Sequence, residues 1–305
     1  MDKSEIDSYV KAGEIAREVK EFARELVKPG MKLIDIADAI DAKILELGGD
    51  FAFPVNLGLN EIAAHFTPTS DCDIFAEGIL KIDLGVVIDG FIADCAISFD
   101  LTTNGEFEEM IALNEKILTE ASKTVKVGMK VRDVGEAVQN VMDESGENYA
   151  VIKSLSGHAL GKNTIHTAPT ISNYRNDNKK ILDNIAFAVE PFVTSGVGDI
   201  FEGKGGGIYA LKGNGQTRDL DARKVLEFVQ ENYKTRPFCA RWLLRKIRDK
   251  ELDIVESKLK FVLGMLVRSG ILYEYPILIE KSRKPVSQFE NTFLIFDGKV
   301  ICTTG

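Results

Sequence analysis

The sequence predicts a mixed α/β (α+β) chain built from two related halves, each running helix, helix, strands, with a helical insert in the second half. Three observations carry this. The first is an internal repeat: VKPGMKLIDIADAID (27–41) returns 98 positions later as VKVGMKVRDVGEAVQ (125–139), with seven of fifteen residues identical. Val27, Lys28, Gly30, Met31, Lys32, Asp35 and Ala39 recur as Val125, Lys126, Gly128, Met129, Lys130, Asp133 and Ala137. Roughly one match is expected by chance at background frequencies, so a duplicated half-domain accounts for the repeat better than two unrelated amphipathic helices. The second observation is that helical spacing gives way to β-rich sequence after each copy. The third is a segment with three helical patterns between the strand-like runs AFAVEPFV (186–193) and SQFENTFLIF (287–296).

The elements follow in order. Ile6, Val10, Ile15, Val19, Phe22 and Leu26 lie near helical spacing, which predicts a helix over 5–28, ended by Lys28-Pro29-Gly30. A second helix is predicted at 34–48, stopped by Gly48-Gly49. The repeat places the matching pair at 107–123 and 131–144, stopped near Gly146. In the insert, Val225, Leu226 and Val229 mark one helix and Trp242, Leu243 and Ile247 a second. Leu259, Val262, Leu263, Leu266 and Val267 mark a third, and the β-prone ILYEYPILIE (271–280) follows. Three helices and a strand suggest a winged-helix-like module. This divides the chain into a body (1–210 and 271–305) and an insert (211–270).

Composition narrows the class. The 305 residues are 45% apolar and 28% charged, an ordinary globular balance. No apolar run approaches the roughly 18 residues of a membrane helix, and the charged start MDKSEIDSYVKAGEIAREV has no signal-peptide core. A cytoplasmic protein without membrane contact is expected. Cys72, Cys95, Cys239 and Cys302 are scattered and read as thiols, not as a disulfide framework or zinc knuckle. The net charge is −9, yet residues 218–270 hold thirteen Lys or Arg against eight Asp or Glu. Such a basic island is either a solvated helical face packed on the body or a contact for ribosomal RNA, with Arg241, Arg245 and Arg248 as candidates. DNA is not an expected partner.

The chemistry starts from KIDLGVVIDGFIADCAISF (81–99). Asp89-Gly90 between apolar runs signals a two-residue hairpin turn. Such a turn sets Asp83 opposite Ala96 and Asp94 opposite Gly85. The two carboxylates become diagonal neighbours on one face, roughly 7–8 Å apart at the backbone. They face solvent or they hold a cation, because an unpaired buried carboxylate is costly. Glu190 ends AFAVE, and alternation puts Glu290 on the face opposite Phe289 and Phe293. Duplication then sets Asp83 and Asp94 against Glu190 and Glu290, four acids that suit a pair of divalent ions such as Mn, Fe, Co or Zn. The three histidines, His65, His158 and His166, lie in Gly-, Pro- or Asn-rich loops and lack the helical HExxH spacing. EGKGGGIYA (202–210) lacks the ending of a phosphate loop and reads as a flexible segment beside the pocket.

Taken in order, FAFPVNLGLNEIAAHFTP, DLGVVIDGFIADCAISF, SGHALGKNTIHTAPTI, AFAVEPF and SQFENT closely resemble the methionine aminopeptidases. The resemblance implies their duplicated pita-bread fold, a curved, mostly antiparallel sheet with outer helices. The roughly 100 residues between Glu190 and Glu290 look like the type 2 subfamily, and the short N-terminus is typical of archaeal members. It implies five ligands for two divalent metal ions: Asp94 and Glu290 bridging, Asp83 on one ion, His158 and Glu190 on the other. His65 and His166 would contact substrate and stabilise the tetrahedral intermediate, while Phe53 and Ile165 would line the methionine pocket. Type 2 sequences usually have His where this chain has Asn291, a position that alternation points away from the metals.

The implied reaction removes the initiator methionine from nascent chains when the second residue is small. A hydroxide activated by both ions attacks the carbonyl, and Glu190 carries the proton to the leaving amine. Two rivals stand beside it. A prolidase or Xaa-Pro aminopeptidase shares this core, but normally has a large N-terminal domain and Glu where this chain has Thr167. A metal-free binding protein of this fold would have lost ligands that are all present here.

Overall fold

A computed structural model describes residues 1–213 and 215–305. The chain opens with α1 (Lys3–Leu26), begun by a capping box in which Glu5 N donates to Asp2 Oδ1 and Asp2 N donates to Glu5 Oε2. That box starts the helix two residues before the first apolar position predicts. Tyr9, Ala12, Ile15, Ala16, Val19 and Ala23 form its buried stripe. The chain then runs through α2 (Leu33–Glu46), β1 (Asp50–Leu59), β2 (Ile62–Ala64), β3 (Ile79–Ile88) and β4 (Phe91–Asp100).

The second half repeats the plan with α3 (Glu108–Lys123), α4 (Val131–Glu144), β5 (Ala150–Val151), β6 (Gly157–Gly161), β7 (Thr164–Ile171), β8 (Ile185–Val189) and β9 (Phe192–Thr194). The repeated segments adopt the same local structure. Gly30 and Gly128 take φ of 80° and 79°, and nothing lies within 4 Å of a Cβ built on either, so conformation and not space calls for glycine. Lys32 then bridges to Phe75, and Lys130 to Ile181, as each half enters its second helix.

All strand pairing among the described residues is antiparallel. β3 and β4 are buried on both faces, hence their apolar runs. Ile82, Leu84, Ala93, Cys95 and Ile97 face the core with α1 and α2, and Asp83, Asp94 and Ala96 turn the other way.

β10 (Ile200–Leu211) leads into α5 (Leu220–Asn232), β11 (Phe238–Cys239), α6 (Ala240–Arg248) and α7 (Leu259–Arg268), and β12 (Leu272–Glu280) returns beside β10. The three helices therefore elaborate one hairpin connection. β12 also pairs with β2 of the first half, and the helices' buried side chains join the apolar cluster of the body. β13 (Val286–Gln288), β14 (Asn291–Phe296) and β15 (Lys299–Cys302) complete the chain. No helix among the described residues is long and apolar enough to cross a membrane.

Two expectations change. EGKGGGIYA lies within strand β10, paired to β12 through two register irregularities and to β11, and is not a loose loop. The arginines proposed to face RNA are already engaged: Arg241 and Arg245 contact Asp38 and Asp41, and Arg248 pairs with Glu256. Arg241 is also buried. Acids close in space to the basic residues absorb much of the charge that stands out along the sequence.

Candidate metal centre and substrate pocket

The hairpin sets the first two acids. Asp89 and Gly90 take φ of 53° and 91°, as a type I′ turn requires. The register that follows places Asp83 opposite Ala96 and Asp94 opposite Gly85. Gly85 has its own reason to be small: a Cβ there would lie 2.3 Å from the Phe53 ring.

The second pair arises differently. β8 with β14, and β9 with β13, keep one register, from Ile185 opposite Ile295 to Thr194 opposite Val286. Regular pairing stops where Glu190 meets Glu290, and the two acids stand across from each other at that break. Gln288 follows on the same face and donates from Nε2 to Asp83 Oδ2 (3.4 Å) and Glu190 Oε2 (3.5 Å).

The halves join along β4 and β14. Ala96 and Glu290 exchange backbone hydrogen bonds of 3.4 and 3.1 Å. On either side the strands diverge and hydroxyls span the gap. Thr292 Oγ1 accepts from Asp94 N and donates to Asp94 O, both at 2.8 Å. Ser98 Oγ donates to Gln288 O (2.8 Å) and accepts from Gln288 N (2.9 Å). Asp94 and Glu290 therefore sit on the two inner strands, with Asp83 and Glu190 one strand further out on each side.

All nine residues singled out by the sequence line one cavity of about 210 Å³: Phe53, His65, Asp83, Asp94, His158, Ile165, His166, Glu190 and Glu290. His158, on β6, brings Nε2 within 3.4 Å of Glu190 Oε1 and 3.7 Å of Asp94 Oδ2. Its ring meets that of His166, on β7, edge to face at 4.4 Å. His65 lies across the cavity against Tyr275, at 5.2 Å.

The electrostatics call for a cation. Burial pushes Asp83 up to about 7. Burial and then repulsion from neighbouring acids hold Asp94, Glu190 and Glu290 well above the usual carboxylate range. Burial and the nearby His166 lower His158 to about 3 and His65 to about 4, so both imidazoles are neutral and can offer a nitrogen lone pair. Asp83 Oδ1, Asp94 Oδ1 and Glu290 Oε1 are buried with no hydrogen-bond partner. Ligand atoms of Asp94, His158 and Glu290 lie within 4.8 Å of one another. Oxygen-rich donors with one imidazole and unused lone pairs fit a divalent metal.

Residues 7–221 match the family described as metallopeptidase family M24. The chain belongs to that family. A methionine aminopeptidase of Pyrococcus horikoshii is 39% identical over 304 residues, covering 98% of this chain and 99% of the relative. The structure of a methionine aminopeptidase from Thermotoga maritima matches with a TM-score of 0.69 at 19% identity, over 100% of this chain and 98% of that one. A Pyrococcus furiosus prolidase matches at 0.58 and 16% identity, with 64% of its length covered. The shared architecture is the duplicated pita-bread fold, and membership in the family makes the chain a peptide hydrolase that uses divalent metal.

Several residues lining the cavity or bonded to its acids do not stand out in the sequence. Gln288 was within reach, because it is two residues before Glu290 and shares its face. Asn56 is paired with Asp83 across β1 and β3, through a register with two irregularities that no local pattern signals. Tyr275 and Pro237 come from β12 and the insert, and only the packing of these segments brings them to the cavity.

Proposed function

We propose that the protein removes the initiator methionine from new polypeptides in the cytoplasm when the second residue is small. Asp83, Asp94, His158, Glu190 and Glu290 hold two divalent ions, of Co, Mn, Fe or Zn. When bound, such ions neutralise the four acids and make a water acidic enough to ionise near neutral pH. The observation that carries this reading is a cluster of buried, unpartnered carboxylate oxygens beside the apolar Phe53 and Ile165.

Phe53 and Ile165 hold the methionine side chain, whose unbranched, polarizable thioether suits an apolar wall. His65 and His166 flank the scissile carbonyl and donate to the oxygen as charge develops on it. Glu190 takes a proton and passes it to the leaving amine. Residues 1–210 and 271–305 form the catalytic body in this reading, and 211–270 the winged-helix-like insert. Lys234, Lys250, Lys260 and Arg268 of the insert are exposed and carry no ion pair among the described residues, which leaves them for contact with ribosomal RNA near emerging chains. Cosedimentation with ribosomes at two salt concentrations tests that contact, which should weaken steeply with salt.

The test of the activity is the mass of peptides before and after incubation with metal-loaded enzyme. Peptides starting Met-Ala, Met-Gly or Met-Ser should lose methionine alone, and those starting Met-Asp or Met-Lys should survive. His166→Ala should slow turnover about 10²–10³-fold, the usual loss for one oxyanion donor, while bound metal stays. Cleavage of Ala-Pro peptides in preference to Met-Ala would overturn the assignment in favour of a prolidase.

A further inference from the structure

The loop that carries His65 is held in an uncommon shape. His65 has φ of 65°, in the left-handed region, which costs a non-glycine residue on the order of 1–3 kcal/mol and persists only where neighbours impose it. The body supplies part of that constraint. His65 N donates to Asn56 Oδ1 (2.8 Å), Leu57 N to Phe66 O (2.8 Å) and Thr67 N to Gly206 O (3.1 Å). His65 O rests over Gly206, where a Cβ would lie 1.7 Å from it, so this glycine of the EGKGGG run admits the loop.

Beyond Thr67 the hold passes to the insert. Arg241, on α6 and 3% exposed, donates from Nη1 to Thr67 Oγ1 (3.2 Å) and Pro68 O (2.8 Å). Its Nη2 donates to Asp41 Oδ2 of α2 at 3.0 Å, an oxygen that also accepts from Trp242 Nε1 at 2.8 Å. Asp38 Oδ1 lies 3.0 Å from its Nε. One guanidinium thus ties the outgoing end of the His65 loop to a rigid helix of the first half.

We infer that Arg241 is a positioning residue that acts through His65, and that the insert thereby takes part in the reaction. The inference rests on the role of His65 proposed above. Guanidinium geometry matters, because the fork reaches a carboxylate and the loop together, and an ammonium does not. Without the fork, Thr67 and Pro68 are released, the left-handed residue relaxes, and the imidazole leaves its place beside the scissile carbonyl. A displacement of about 1 Å in such a group can cost on the order of 10²-fold in rate.

The experiment is a double-mutant cycle on metal-loaded enzyme, with kcat, KM, bound metal and melting temperature measured for each variant. Arg241→Lys keeps a charge for Asp41 and breaks the fork, while Thr67→Val removes one acceptor and leaves the buried ion pair whole. In the wild-type background, Arg241→Lys should lower kcat about 10²-fold and Thr67→Val about tenfold, with KM and metal content little changed. In a His65→Ala background, itself slow, both should change kcat by less than about twofold, because their effect runs through the missing imidazole. Equal losses in both backgrounds would overturn the inference, as would normal kcat for Thr67→Val and a folded Arg241→Lys. If Arg241→Lys does not fold, Thr67→Val carries the cycle alone. Full activity in His65→Ala by itself would remove the role of His65, a failure of the proposed function that brings the inference down with it.

Discussion

The two halves bring two acids each to the same cavity by different routes. In the first half, Asp83 and Asp94 come from strands joined by a two-residue turn and lie diagonally across one ladder. In the second, Glu190 and Glu290 stand across from each other at the break between the β8–β14 and β9–β13 pairings, and the chain between them runs through β9, β10, β11, three helices, β12 and β13. The second helix of each half, α2 and α4, and its glycine entry hardly differ between halves. A ladder therefore tolerates almost any connection between its strands, since the entropy of loop closure grows only slowly with length.

The largest test of this comparison sets inner against outer acids. Asp94→Asn, on an inner strand, should cut turnover about 10³-fold or more, a loss near 4 kcal/mol of transition-state stabilisation, and should remove most bound metal. Asp83→Asn, one strand out, should leave about half of the metal, as measured by elemental analysis. Equal metal loss in both would break the inner–outer distinction. Gln288→Ala comes next. Its amide reaches one outer acid from each half, and losing such a support typically costs about 10–100-fold in metal affinity, measured by titration of metal-free protein.

A smaller effect follows from the raised carboxyls. A group whose pKa rises on folding contributes stability that is complete below its unfolded value, about 4 for Asp and Glu, and is lost as pH climbs through the folded value. With Asp83 at about 7 and the other three acids also held well above the usual carboxylate range, the metal-free protein should melt several degrees lower at pH 8 than at pH 5. Added divalent ion should reverse the trend, because it binds the deprotonated acids. A melting temperature that climbs from pH 5 to 8 without metal would show that the four acids do not share the site as described. Cys95→Ala should do least. Cys95 neighbours Asp94 but turns its Sγ toward α1, so metal content should hold while stability falls by about 1 kcal/mol.

The sequence by itself determined the four outer helices, the hairpin with its register, and the acids and histidines of the cavity. Helix hydrogen bonds and a two-residue turn depend on near neighbours, so spacing and glycine placement are enough to locate them, and the ordered motifs of a family supply the rest. Only the tertiary structure decided how the halves meet. The Thr292 and Ser98 hydroxyls that span the axis bond to partners 198 and 190 residues away, and no local pattern marks a hydroxyl for that task. The same holds for Arg241, which along the chain is one charge in a basic run and in the fold is a buried clamp on Asp41, Thr67 and Pro68. Gly206, in a run that reads as loose, is a strand residue that has no room for a side chain, because the His65 backbone passes over it. Local periodicity records what each segment forms. Which surfaces come into contact depends on the burial of charge and apolar area across the whole chain.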